Sequence, residues 1–147
     1  ATQMGVARIV PMLTERCVVR FSEERSRRKQ GHLRQIAVEA LKQSGSLWLP
    51  AIDPLTPWAR VLDTFAAYDR VLLAAVEGPH RPWAEALTPP PQKLLLLIGP
   101  EGDFTPEEIR QAVQAGAHRV SLGPSVLRTE TACTAAIAIL NFLSFHP

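Results

Sequence analysis

Apolar and polar positions along the chain switch repeatedly between the spacing of a strand and that of a helix. Ala7 to Leu13 (ARIVPML) is a short apolar run, which predicts a buried strand with Pro11 near its end. From Glu23 to Ser44, residues Leu33, Ile36, Ala37, Ala40 and Leu41 fall on one helical stripe that should be buried. Ser22 suits the N-cap and Gly45 the terminator. Gly31 weakens the first half and moves the expected start toward Lys29. Leu47 to Ile52 predicts a short strand. Thr56-Pro57 should cap a helix reaching about Phe65, with Trp58, Val61, Leu62 and Phe65 inward. Arg70 to Val76 predicts a buried strand, and the proline-rich segment from Gly78 to Pro91 an irregular surface connection. Lys93 to Ile98 is apolar on both faces, as in a parallel sheet.

Thr105-Pro106-Glu107-Glu108 spells a complete helix start: an N-cap Thr, Pro in the first turn, and Glu placed to close a capping box. That helix should end at Gly116, with a strand from Arg119 to Leu122 after it. The last helix should run from about Thr129 to Leu143, with Ala132, Ala135, Ala136, Ile139 and Leu140 on its packing side. Strands alternating with helices predict an α/β fold, a mostly parallel sheet flanked by helices.

Two of these strands run straight into a tight Gly-Pro turn and then a helix: Leu97-Ile98-Gly99-Pro100-Glu101-Gly102-Asp103-Phe104-Thr105, and Leu122-Gly123-Pro124-Ser125-Val126-Leu127-Arg128-Thr129-Glu130-Thr131-Ala132. Such loops should lie side by side at the edge where an open α/β sheet binds its ligand. Glycine lets bare backbone approach that ligand. Neither GxxxxGK[ST] nor GxGxxG is present, so this is not a P-loop or a dinucleotide fingerprint. Glu101, Arg128, Thr129, Glu130 and Thr131 are more polar than a plain turn requires. They fit a reactive site, or else a Glu101–Arg128 ion pair with Thr129 or Thr131 as a helix cap.

Composition narrows the classes further. With 147 residues, 46% hydrophobic and 20% charged, the chain has the size and make-up of one soluble globular domain. No apolar run approaches the ~20 residues of a membrane span, and no signal peptide opens it. Ala1 to Val6 lacks an initiator Met and reads as the last turn of a helix closed by Gly5, so the chain is expected to be cut from a longer protein. Net charge is only +2, but Arg16, Arg20, Arg25, Arg27, Arg28, Lys29 and Arg34 cluster against Glu23 and Glu24. That cluster fits either a solvated helix face, which spacing alone favours, or phosphate contacts. Cys17 and Cys133 are too few for a zinc site or disulfide framework, and imply a reducing cytosol. His32, His80, His118 and His146 share no ligand-like spacing, which argues against a metal. Without GxSxG, covalent serine catalysis at Ser44 or Ser125 is disfavoured.

IGPEG before a capped helix, followed by LGPSVLRTETA opening the last one, resembles the ribosomal small-subunit methyltransferase E family. These are 16S rRNA uridine-N3 methyltransferases of the SPOUT superfamily. Thr14-Glu15-Arg16-Cys17-Val18-Val19 is similar to the family's SERSV segment, and Glu39 to Gly45 to its EAxEQS helix end. The chain differs where the family usually has Gly (here Asp103), Arg (Ser46) and Glu (Lys42). The resemblance implies that residues 1–147 form one SPOUT-like domain with a deep C-terminal trefoil knot, an exception to the rule against knotted chains. It implies bound S-adenosylmethionine, a homodimer, a cytoplasmic location, and 16S rRNA or the small ribosomal subunit as partner. An N-terminal PUA-like RNA-binding domain would lie outside this chain. No metal or membrane partner is implied. Carried onto these residues, Leu97, Ile98, Gly99, Pro100, Gly102, Leu122, Gly123 and Leu127 would hold the cofactor, with Thr131 and Ala132 alongside. Arg128 would stabilise charge on the uracil. Glu101 would shape the loop or accept a proton, and Arg16 and Arg20 would meet RNA phosphates. A module that binds RNA or a nucleotide without turnover, or a knotted methyltransferase of another RNA, is the alternative.

Overall fold

Pro11 has no N–H to give a ladder, and the first apolar run accordingly breaks in two around it. The structure is a computed structural model that describes residues 1–17, 22–76 and 78–145, and the chain divides into two compact units. The first comprises Ala1–Leu13 and Cys17–Trp58. Here β1 (Arg8–Ile9) and β2 (Met12–Leu13) replace the single expected strand, and they are not buried. Next comes α1 (Glu23–Ser44), then β3 (Ala51–Ile52) and β4 (Thr56–Pro57). Strand β1 pairs in parallel with β3, and β2 in parallel with β4.

Helix α1 starts at Glu23, not near Lys29. The Ser22 hydroxyl accepts the Arg25 N–H at 3.2 Å, and Arg27–Glu23 and Arg28–Glu24 pairs brace the first turns, so Gly31 is carried without breaking the helix. Gly45 closes it in the left-handed region at φ 68°. Its inward stripe is led by Ser26 and Ala37, while Ile36, expected inside, stands exposed. The expected Leu47–Ile52 strand shrinks to two residues behind Pro50, leaving Leu47 and Trp48 outside. Thr56 does not cap a helix either. Its N–H goes to the Pro11 carbonyl and its hydroxyl to that of Pro54, so Thr56-Pro57 forms β4 and the helix begins directly after it.

The second unit comprises Thr14–Arg16 and Ala59–Pro147. In chain order its elements are α2 (Trp58–Asp63), a 3₁₀ turn at Phe65–Ala67, β5 (Arg70–Ala74), α3 (Trp83–Ala86), β6 (Leu94–Ile98), α4 (Pro106–Gln114), β7 (His118–Val120) and α5 (Thr129–Phe145). The sheet has the order β6-β5-β7 and is parallel throughout, with Leu72 opposite both Leu96 and His118. Leu72 and Leu73 in the central strand are fully buried, each contributing roughly 1.5–3 kcal/mol. The apolar sequence of β6 predicts burial on both faces. It is instead an edge strand, and only Leu97 of its residues is buried. On one face of the sheet Leu72, Ala74 and Val120 pack with Ala86, joined by Trp83, Leu87 and Leu140. The α/β class with parallel, helix-flanked strands is therefore as expected.

Helix α4 carries its capping box as spelled: Thr105 Oγ1 accepts from Glu108 N, and Glu108 Oε2 accepts from Thr105 N. The other oxygen of this buried carboxylate accepts the Glu15 N–H at 2.8 Å, tying residues 14–16 to the helix start. The Arg16 guanidinium donates to the carbonyls of Gly102 and Phe104 just before it. Helix α5 buries Ala136 and also Ile137, which the sequence placed outside its packing face.

Candidate active site

The carboxyl ends of β5 and β6 and the chain just beyond β7 converge on one cleft, because all three strands run the same way. The cleft spans about 510 Å³, counting the part open to solvent, within the range of small-molecule sites. Its lining brings together Ile98, Gly99, Pro100, Leu122, Gly123, Leu127 and Ala132 of the expected binding residues, and Glu101 of the expected reactive ones. Leu97 is packed into the core instead, because adjacent strand residues face opposite sides of the sheet. Gly102 lies against the Arg16 side chain, and Thr131 is exposed outside the lining. Arg128 is exposed between two lining residues, Leu127 and Thr129. Among the described residues no ion pair joins Arg128 to Glu101, so the structural alternative for these two is not realised. Arg16 donates to the backbone before α4, and Arg20 lies outside the described residues.

Sequence reasoning missed Ala74, Ala75 and Val76 at the end of β5, together with Asp103, Ser125 and Val126. A signal existed for the first three, since Gly78-Pro79 repeats the junction seen after the other two strands. Thr129 does not cap α5 with its hydroxyl. It donates to the Gly99 carbonyl at 3.0 Å and so clips the two Gly-Pro loops together.

Asp103 is the one non-glycine residue at positive φ among the described residues, at 58°. Its carboxylate accepts the next N–H, from Phe104, at 2.7 Å, a local bond that helps a short acidic side chain hold this backbone. Gly99 makes room for it: a Cβ there would lie 2.8 Å from Asp103 Oδ1. Gly123 sits at φ 118°, with open space where a side chain would be. From Pro124 to Leu127 no backbone N–H or C=O is bonded within the described residues. The cleft thus offers apolar walls from Ala75, Ile98, Leu122, Val126 and Leu127, a rim of free backbone polar groups, and a carboxylate. Among the described residues no group of three or more His, Cys, Asp or Glu gathers, and no helix is long and apolar enough to cross a membrane.

An apolar slot rimmed by backbone at parallel strand ends has the make-up and position of a small-molecule site of an α/β protein. Residues 1–141 match the family described as RNA methyltransferase domain, and the chain belongs to that family. It is 32% identical over 145 residues to the ribosomal RNA small subunit methyltransferase E of Synechocystis, covering 97% of this chain and 46% of that protein. It is 26% identical to the protein of the same name from Bacillus subtilis, covering 96% of this chain and 57% of that one. The chain therefore spans about half the length of these curated relatives.

Two solved structures superpose closely. A methyltransferase of Legionella pneumophila, in complex with the cofactor SAM, gives a TM-score of 0.88 at 33% identity, covering 97% of this chain and 57% of that one. The ribosomal RNA small subunit methyltransferase E of Neisseria gonorrhoeae, bound to S-adenosyl methionine, gives 0.85 at 30%, with the same coverage.

Proposed function

We propose that this chain is the catalytic part of an S-adenosylmethionine-dependent enzyme that methylates N3 of a uridine in 16S rRNA of the small ribosomal subunit. The observation that carries the reading is the cleft itself, formed where both Gly-Pro loops meet, in a chain similar to two methyltransferases solved with this cofactor. The residues present suit such a ligand. Ile98, Leu122, Val126 and Leu127 offer flat apolar contact for an adenine, and the unbonded backbone from Pro124 to Leu127 can read its polar edge. Bound there, S-adenosylmethionine supplies a methyl group made electrophilic by its sulfonium.

N3 of uracil must lose its proton before or as it attacks, so negative charge spreads onto the uracil oxygens. Arg128 is the residue we assign to that charge, because its guanidinium is exposed and committed to no ion pair among the described residues. Glu101, on the cleft lining, is the candidate to accept the proton or hold the loop. The Thr129–Gly99 bond fixes the two loops relative to each other, which serves in-line positioning. Leu97, Gly102 and Thr131 then act behind or beside the cofactor loops. The reading also includes a C-terminal knot, a homodimer in the cytoplasm, Arg16 and Arg20 at RNA phosphates, and a PUA-like RNA-binding domain outside this chain.

Titration calorimetry of the chain with S-adenosylmethionine tests the central claim. Saturable binding is expected, weakened about tenfold or more (about 1.4 kcal/mol) by Gly99→Val and by Gly123→Val. A folded chain that ignores the cofactor would sink the proposal. Binding of rRNA with no methyl transfer, read by mass spectrometry of the uridine-containing fragments, would reduce the protein to a binding module.

A further inference from the structure

Among the described residues, the charged ones that line the cleft are Glu101 and Asp103, and both are acidic. No Lys, Arg or His belongs to that lining. Arg128 is exposed between two lining residues. Arg16, the cation beside the first loop, gives its guanidinium to the Gly102 and Phe104 carbonyls. No ion pair joins a cation to either cleft carboxylate among the described residues. An apolar cleft carrying unopposed negative charge has a potential that favours a cationic occupant.

The two carboxylates are not equivalent. Glu101 is exposed, so water screens it, whereas Asp103 is half-buried. Asp103 is also fixed in place. Its N–H donates to the Pro100 carbonyl at 2.8 Å, its φ is 58°, and its Oδ1 accepts the Phe104 N–H at 2.7 Å. A Cβ on Gly99 would stand 2.8 Å from that oxygen, which sets the carboxylate against the first Gly-Pro loop. These local tasks need only an acceptor on a short side chain. The amide of Asn serves them too, since Asn shares with Asp both the left-handed backbone and the local bond. The negative charge is therefore surplus to the construction of the loop. The second oxygen, Oδ2, has no hydrogen-bond partner among the described residues.

We propose that Asp103 is a specificity residue, whose carboxylate makes the cleft prefer the cationic methyl donor to the neutral product left after transfer. This rests on the S-adenosylmethionine reading above. At neutral pH the donor carries a sulfonium, an ammonium and a carboxylate, and so a net positive charge. When the methyl leaves, the C–S bonding pair stays on sulfur and the uridine N3 proton carries the positive charge away. The product, S-adenosylhomocysteine, is a thioether with no net charge. An anion fixed on the lining discriminates between the two, because specificity is a difference of affinities.

The test is titration calorimetry of the chain at neutral pH, with S-adenosylmethionine and separately with S-adenosylhomocysteine. Asp103→Asn keeps an acceptor for the Phe104 N–H and removes the charge. It should weaken donor binding about threefold to tenfold and leave product binding within about twofold of the parent. Asp103→Gly, which adopts a positive φ freely, should do the same and guards against a loop distorted by the amide. Asp63→Asn removes the same charge from an exposed position on α2 outside the lining, and should change neither affinity. If Asp103→Asn weakens both ligands alike, the carboxylate acts on a group they share and the preference is not its doing. Unchanged affinities for both overturn the proposal as well. In either of those cases a parent that binds S-adenosylmethionine leaves the cofactor reading standing. A folded parent that binds neither ligand discards that reading and the proposal with it. A preference lost in Asp103→Asn, in a parent that methylates no rRNA, keeps the role of Asp103 and discards the rRNA substrate.

Discussion

Arg128 shows how much one side chain can be asked to do. It is exposed and in no ion pair among the described residues, so Arg128→Ala should change the unfolding free energy by less than about 0.5 kcal/mol. If it stabilises charge on the uracil, the same change should lower the single-turnover methylation rate by about 10² or more at saturating cofactor. An unchanged rate would leave Arg128 as a solvated surface residue. His118 makes a prediction in pH. Burial first, then Arg81 and Arg70, hold its imidazole below the ordinary 6.5, so the unfolded chain binds that proton more tightly than the folded one. The stability it contributes is fully present above pH 6.5 and is lost as pH falls toward the lowered value. Urea midpoints should therefore drop as pH falls below 6.5, and His118→Asn should flatten that drop.

At the scale of elements, α4 depends on one carboxylate. Glu108 is buried and accepts N–H groups from Thr105 and from Glu15, so it fastens the helix start and residues 14–16 together. Glu108→Ala should cost about 2–4 kcal/mol, because one buried and one part-buried donor lose a charged acceptor and the capping box opens. Chemical denaturation measures it, and a loss under about 1 kcal/mol would mean water replaces the carboxylate. The capping box was legible because its residues lie within one turn. So was the end of α1 at Gly45, whereas Gly31 drew the expected start toward Lys29 and away from the Ser22 cap. The bond from Glu15 was not, since its partners are 93 positions apart. Thr56-Pro57 misled for the same reason: its cap signal is genuine locally, but the Pro11 carbonyl claims the Thr56 N–H and draws the pair into a strand.

For the whole molecule, the reading that includes a homodimer looks to α5. Ala138 and Phe142 are exposed on it, although the neighbouring Ile137 is buried after all. Sedimentation equilibrium at micromolar concentration should give a dimer, and Phe142→Asp should shift it toward monomer. A monomeric parent would remove the dimer from the proposal. The sequence by itself determined whatever depends on neighbours in the chain: the alternation of strands and helices, the capped start of α4, the glycine end of α1, and the two Gly-Pro loops that line the cleft. Tertiary structure decided which strand is central, because burial of a strand depends on what flanks it. Strand β6 has the more apolar sequence, yet β5 lies between two neighbours and carries the fully buried leucines. It also brought the end of β5 into the cleft and set the Thr129 hydroxyl on Gly99 rather than on its own helix. Interactions of that kind join residues far apart in sequence, and no local pattern of apolar and polar positions encodes them.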